Sequence, residues 1–221
     1  MSKEKTKIII CCPGSKFSSR FLGCLTKLLK HFDIKGYDYR LSTSFSRNIY
    51  ETRNKCLLGK PENGDDQVPF YGEDYTHILW IDDDITFVPK DFDLLHEADK
   101  DVISGFYIMA DGKQYAAVKV WDEKHFQENA TFPFMVPDDI KDGRNPTRVE
   151  YVGFGWLLVK KGIFEQIKYP WFDPTYLNIR EAEDFSMEDV TFCLKCKKIG
   201  IPVFGHPKVI VGHNKVIELK M

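Results

Sequence analysis

The 221 residues carry no excess charge of either sign: 31 lysines and arginines stand against 33 aspartates and glutamates. Without a basic field, nucleic acid is disfavoured as a partner, because phosphate neutralisation needs clustered cations. Long hydrophobic runs are missing too. The first apolar stretch, "IIICC" at residues 8–12, is far short of the roughly 20 residues of a membrane span. It also lacks the longer apolar region of a secretory signal. There are 6 cysteines, and the one CxxC, Cys193 with Cys196, has no second ligand pair at similar spacing. That argues against a structural zinc site. The pair falls inside a helix-like segment rather than at its start, where a redox pair is activated, so buried free thiols are expected. "NAT" at Asn129 matches a glycan acceptor, but a cytoplasmic chain would not meet that machinery. No repeat, low-complexity tract or linker is visible. These absences lead to the expectation of one cytoplasmic domain with no membrane span.

What is present is 43% apolar and 14% aromatic residues, enough for a substantial core. "KIIICC" at 7–12 reads as a buried strand stopped by Pro13 and Gly14. Ser18 is placed to cap a helix whose apolar face is Phe21, Leu22, Leu25, Leu28, Leu29 and Phe32. "YDYRLSTS" reads as a second strand, and a helix over about 47–58 closes at Gly59 and Pro61. A third strand at 76–81 precedes a short helix near Pro89. "DVISGFYI", "YAAVKVW" and "VEYVGFGWLLV" read as further strands, with a long loop over 122–148. Helices are expected over about 161–168 and 186–198, and "KVIVGH" as a late strand. Alternating strands and helices predict an α/β domain with a mixed, mostly parallel central sheet flanked by helices. In such sheets ligands gather outside the carboxyl ends of the strands.

One such end is chemically distinctive. In "THILWIDDDITFVP" four apolar residues run directly into Asp82, Asp83 and Asp84. Continued strand geometry would turn Asp82 and Asp84 to one face and Asp83 to the other. Two carboxylates about 4 Å apart repel by roughly 4 kcal/mol at an effective dielectric near 20. A divalent cation such as Mg²⁺ or Mn²⁺ would relieve that, and a solvated strand end is the alternative. His213 follows Gly212 at the end of "KVIV" and is a candidate third ligand, or an ordinary histidine. Arg53 is suited to a phosphate, or is a surface arginine. In "SMEDVTF", Ser186 and Asp189 fit a helix-capping pattern, while Glu188 and Asp189 would suit acid–base work. Gly153 and Gly155 in "GFGW" would allow close approach to a ligand, with Trp156 stacking on a sugar ring; a bulged strand with a core tryptophan is the alternative. Trp171 and Phe172 would wall an acceptor site or pack the core.

"HILWIDDDITF" resembles the DxD segment of the GT-A glycosyltransferases, and the likeness extends to "CCPGS", "RNIYETRNKCL", "DVISGFY", "VGFGWLLVKKGIFE", "SMEDVTFCLKCKKIGIP" and the late "VGH". It is most similar to the compact glycosyltransferases of large algal viruses (chloroviruses) that glycosylate capsid protein, which would put the chain in the host cytoplasm. The resemblance implies a single Rossmann-like GT-A domain over 1–221, with residues 1–88 the nucleotide-binding half and 89–221 the acceptor and sugar-binding half. It implies transfer from a nucleoside-diphosphate sugar, UDP-sugar favoured, to a hydroxyl of a glycan or glycoprotein, with Mn²⁺ or Mg²⁺. Asp84 would bind the metal, with Asp82 on the ribose or on the metal through water, Asp83 also on the nucleotide, and His213 completing the metal set. Pro13, Gly14 and Ser15 would contact the base, Arg53 the diphosphate, Asp189 would act as base and Glu188 would bind the acceptor. Gly153, Gly155, Trp156 and Trp171 would face the sugar and acceptor.

Two rivals fit some of the same residues. "DDDIT" matches the DxDxT motif of haloacid-dehalogenase-type phosphatases, with Asp82 as nucleophile and Asp84 as acid or base. That motif normally ends the first strand of its fold, whereas two strand–helix units precede it here. A metal-dependent sugar-binding module is the non-enzymatic reading. An EF-hand is disfavoured by the absent glycine and distal glutamate.

Overall fold

In the computed structural model, which describes residues 5–179 and 182–215, the apolar run of the N-terminus becomes β1 (Lys7–Pro13). It is buried on both faces: Ile8, Ile10 and Cys12 join one core, Ile9 and Cys11 the other. Such two-faced burial is why the run does not alternate with polar residues. Helix α1 (Ser19–Lys35) starts where Ser18 Oγ accepts from the Phe21 amide at 3.0 Å, and ends at left-handed Gly36. It buries Phe21, Leu25, Leu28 and Phe32, at 3–4 spacing. Leu22, expected on that face, is 49% exposed. Next come β2 (Asp38–Ser44), α2 (Ile49–Cys56) capped by Asn48, β3 (His77–Ile81), β4 (Ile85–Thr86) and α3 (Pro89–Glu97).

The second half is less regular. It contains β5 (Val102–Phe106), β6 (Ala117–Val118), α4 (Glu123–Asn129), β7 (Thr147–Val149), β8 (Tyr151–Val152) and β9 (Trp156–Lys160). The antiparallel pair β10 (Tyr176–Ile179) and β11 (Ala182–Phe185) leads into α5 (Glu188–Lys198), β12 (Val203–Ile210) and β13 (Gly212–His213). Three expectations are corrected. The loop over 122–148 holds α4, whose Asp122 side chain caps the His125 amide. The helix expected over 161–168 shrinks to one 3₁₀ turn at Phe164–Gln166. The segment "VEYVGFGWLLV" breaks into three short strands: a bend at Glu150 parts the first two, and a turn at Phe154 and Gly155 parts the last two.

The seven-stranded sheet runs β2-β1-β3-β9-β5-β12-β7. Strands β1–β2, β1–β3 and β5–β12 pair in parallel, while β9 runs antiparallel between β3 and β5 and β7 closes the edge antiparallel to β12. The expected mixed, mostly parallel α/β sheet is therefore observed. Helices α1 and α3 cover one face, where Phe32 meets Phe92 edge-on at 4.6 Å. The other face carries α5 and the aromatic segment through Phe164, Trp171 and Phe172, packed on Trp80 and Phe154. Cys193 and Cys196 are buried free thiols in that layer. No helix of the described residues is long and apolar enough to cross a membrane.

Candidate active site

Strand β3 ends at Ile81, and the chain turns at once: the Ile85 amide donates to the Asp82 carbonyl at 3.1 Å. The acids therefore sit in a turn. The strand-based expectation that Asp82 and Asp84 share a face while Asp83 points away is replaced by a fan of three carboxylates into one cleft of about 400 Å³. The cleft is closed on the other side by Pro13 and Gly14, Arg47, Arg53 and Glu188. Gly14 has φ +151°, and a Cβ there would lie 2.6 Å from Asp83 Oδ2. Only glycine lets the end of β1 pass so close to the acid turn. Ser15 is exposed and does not line the cleft.

Each acid meets a different environment. Asp82 takes both terminal nitrogens of Arg53, at 3.0 and 3.3 Å. Asp83 is pushed above its ordinary range by burial, then by the charges of Asp84 and Asp82. Burial also presses on Asp84, but hydrogen bonds and charge from His213 and Lys215 outweigh it and hold that carboxyl low. His213 reaches it because β13 pairs antiparallel with β4, His213 opposite Ile85. Its Nε2 lies 3.1 Å from Asp84 Oδ2, and Lys215 Nζ lies 2.7 Å from the same oxygen. The hydrogen bond to Asp84 raises the imidazole, against burial.

Arg53 is no surface residue. It is 3% exposed, and its Nε donates to Glu188 Oε1 at 2.9 Å while its fork holds Asp82. The guanidinium also lies 4.8 Å over the Phe154 ring. Its neighbour Asn54 anchors α2 by donating to the Phe172 carbonyl at 2.7 Å and accepting from the Phe172 amide at 3.2 Å.

Behind Arg53 lies a second cavity of about 350 Å³, lined by Arg53, Asp82 and Glu188 again, by Asp189, and by aromatic side chains including Tyr107, Phe132 and Tyr151. Asp189 sits on its wall at the first turn of α5. Tyr151 donates to Asp189 Oδ2 at 2.8 Å, and the Val190 amide donates to Oδ1 at 2.8 Å. Burial, then the Glu188 charge, raises the Asp189 carboxyl to about 7, although Tyr151 and Arg53 pull the other way. The capping expectation is corrected: Met187 occupies the N-cap position, and Ser186 Oγ instead contacts Thr191 Oγ1 at 2.6 Å. Glu188 is 5% exposed and gives one oxygen to Arg53, so it spans both cavities rather than standing open for an acceptor.

The sugar-facing residues need the largest correction. Trp156 and Trp171 are both 0% exposed. Trp156 stacks on Phe87 at 4.4 Å, and Trp171 packs edge-on to Tyr169 at 5.3 Å. Neither indole is available to a sugar ring. Gly153 and Gly155 do permit a close approach, but to Tyr107. A Cβ at Gly153 would fall 1.9 Å from the Tyr107 hydroxyl, and one at Gly155 would fall 2.7 Å from its ring. Tyr107 in turn stands edge-to-face with His213 at 5.1 Å. Residues missed from sequence are Arg47, Tyr107, Tyr151 and Lys215. Tyr151 carried a faint signal, a hydroxyl-bearing side chain two residues before the glycine turn.

A separate hollow of about 350 Å³ between Gln166–Pro170 and Lys195–Ile199 contains none of the expected site residues. Among the described residues no three His, Cys, Asp or Glu side chains cluster as a complete metal site. Asp84 and His213 do form a fitting pair. His213 Nδ1 is committed to the Ile108 carbonyl at 2.7 Å, which directs Nε2 toward Asp84.

The sequence matches no protein-family model and no curated protein. Solved structures do match. A197 from STIV covers 98% of this chain and 99% of its own, at 16% identity and TM-score 0.51. The catalytic domain of Drosophila β1,4-galactosyltransferase 7, in complex with xylobiose, covers 96% and 71%, at 12% identity and TM-score 0.51. GalNAc-T7 with UDP, GalNAc and Mn²⁺ covers 99% of this chain and 45% of that one, at 10% identity and TM-score 0.59. The fold is GT-A. Within that GT-A frame, the acid cleft lies at the carboxyl ends of β1 and β3, where ligands of open α/β sheets gather. The comparisons lend no support to the phosphatase reading. Asp82, its required nucleophile, has both oxygens engaged by Arg53.

Proposed function

We propose that the chain transfers a glycosyl group from a nucleoside-diphosphate sugar, UDP-sugar favoured, to a hydroxyl of a glycan or glycoprotein. The observation that carries this reading is buried Arg53, joining Asp82 to Glu188 on the wall shared by the acid cleft and the aromatic chamber. A donor diphosphate in the first and an acceptor in the second would meet there. The neighbouring structures are in keeping with it: one mutant of the Drosophila enzyme was solved with manganese, UDP-Gal and xylobiose.

Four carboxylates line the cleft against Arg47 and Arg53, so an anionic diphosphate needs further positive charge there. Asp84 and His213 would hold a divalent ion, and diphosphate oxygens and water would fill its other positions. Bound Mn²⁺ or Mg²⁺ would supply neutralisation of the charge that develops on the leaving diphosphate. Pro13 and Gly14 form the floor for the nucleotide. Arg53, fixed by Asp82 and Glu188, holds its charge rigidly beside the diphosphate. Asp189 accepts the proton of the attacking hydroxyl while that oxygen bonds to the anomeric carbon and the bond to the diphosphate breaks. Direct attack of this kind inverts the configuration. A carboxyl near 7 suits a general base at neutral pH. Residues 1–88 supply most of the nucleotide side and residues 89–221 the acceptor side, with Glu188 and His213 reaching across.

The test is release of nucleoside diphosphate from a panel of nucleotide sugars with Mn²⁺ and mixed glycan acceptors. Acceptor-stimulated release with one donor is the expected result. Hydrolysis of a simple phosphate ester without any sugar donor would overturn the reading in favour of a phosphatase.

A further inference from the structure

The aromatic chamber does not end at its own mouth. A groove of about 300 Å³ continues from it, sharing the side chains of Phe126, Phe132 and Leu177. It runs between α4 and β10, which are tied together where Gln127 Nε2 donates to the Asn178 carbonyl at 3.0 Å. Phe126 and Phe132 stack at 4.2 Å and 13°, and Trp121 lies 4.4 Å from Phe132, so the wall is a continuous aromatic surface. Tyr176 stands on the opposite side, 69% exposed. Glu123, Gln127 and Asn178 add carboxylate and amide groups to the lining.

The chemistry of this lining selects its occupant. A large exposed tyrosine beside a cavity favours a ligand with an apolar face. The amides and carboxylate favour one with several hydroxyls. A lipid tail would satisfy the first but strip water from the second, the Glu123 carboxylate above all. A sugar ring satisfies both, and the groove's volume is near the lower end of small-ligand sites, roughly 300–1,000 Å³. We infer that this groove is a distal subsite for a second saccharide unit of the acceptor, so that the acceptor is an oligosaccharide chain rather than a single sugar. This rests on the transferase reading for the word acceptor, but the binding itself does not.

Tryptophan fluorescence reports the groove separately from the core. Trp121 is half-buried, while Trp80, Trp156 and Trp171 are each 0% exposed. The experiment measures acrylamide quenching of the intact chain. The titrants are xylo-, cello-, chito-, manno- and galacto-oligosaccharides of one to four units, with an alkyl glycoside as the lipid-like control. Protection that strengthens about tenfold from one unit to two or three in one series is expected, as is its loss by about five- to tenfold in Tyr176→Ala. Trp121→Phe should remove the optical signal while isothermal titration still detects binding. Binding by an oligosaccharide with no transfer from any donor would sink the transferase reading and keep the subsite. Transfer that is indifferent to acceptor length and to Tyr176→Ala would overturn the subsite and keep the transferase. No protection by any series, or protection by the alkyl glycoside alone, would also overturn it.

Discussion

In an unfolded chain an aspartate titrates at about 3.9; in the fold Asp189 is raised to about 7. Its contribution to stability is therefore complete below about pH 4 and is lost as pH rises through 7. A shift of that size sets an upper bound of roughly 4 kcal/mol on the cost at pH 8. Asp189→Asn should consequently lower the transfer rate by about 100-fold or more, while raising the melting temperature at pH 8 and not at pH 4. Wild-type turnover should climb with pH through about 7, read from a pH–rate profile. Arg53 gives the opposite sign. Arg53→Ala strands Asp82 and buried Glu188 without a cation, and breaking such a pair costs about 3–5 kcal/mol; urea unfolding measures it. The acids and His213 were legible because clustered like charge and a glycine–histidine strand end are rare local patterns. Arg53's burial was not legible, since it depends on Glu188, 135 positions away.

At the scale of elements, the first half was readable and the second was not, for a physical reason. Strand β1 and helix α1 carry complete local signals: two-faced burial, a serine cap, a glycine stop. Helix α4 is seven residues long and buries no side chain completely, so its sequence shows no apolar stripe. The β10–β11 pair likewise leaves large side chains uncovered, with Tyr176 and Phe185 exposed. The "GFGW" turn has an exact spatial demand that sequence could only half reveal. Its glycines make room for Tyr107, which packs on His213. Gly153→Ala should therefore cost about 1–3 kcal/mol by overpacking. Tyr107→Phe, which removes the hydroxyl that the new methyl would strike, should recover part of that loss. A double-mutant cycle in denaturant unfolding gives the coupling, and additive losses would show that the hydroxyl is not the obstacle.

Across the whole molecule, the site is assembled from segments that only the sheet order brings together. The ends of β1 and β3 are parallel neighbours, α2 swings Arg53 over them, α5 brings Glu188 and Asp189, and the β13–β4 pairing returns His213 from near the C-terminal end of the described chain. A ligand bridging these parts should couple them thermodynamically. If Asp84 and His213 share a divalent ion with a bound diphosphate, each ligand must tighten the other by the same factor. UDP with Mn²⁺ should then raise the melting temperature by more than the sum of the two separate shifts. At a concentration about 100 times its dissociation constant a ligand contributes about 2.7 kcal/mol, which for a chain of this size corresponds to roughly 5–10 °C. Asp84→Ala and His213→Ala should each remove the excess over the separate shifts. Either variant should leave a residual UDP shift, because Arg53, Pro13 and Gly14 remain. Equal shifts with and without Mn²⁺ in the wild-type chain would show that the acid turn serves some purpose other than holding a metal. The dependence on base, measured with CDP, GDP and ADP in place of UDP, would then read the selectivity of the β1 exit alone, since no other expected contact in the cleft distinguishes one nucleoside from another.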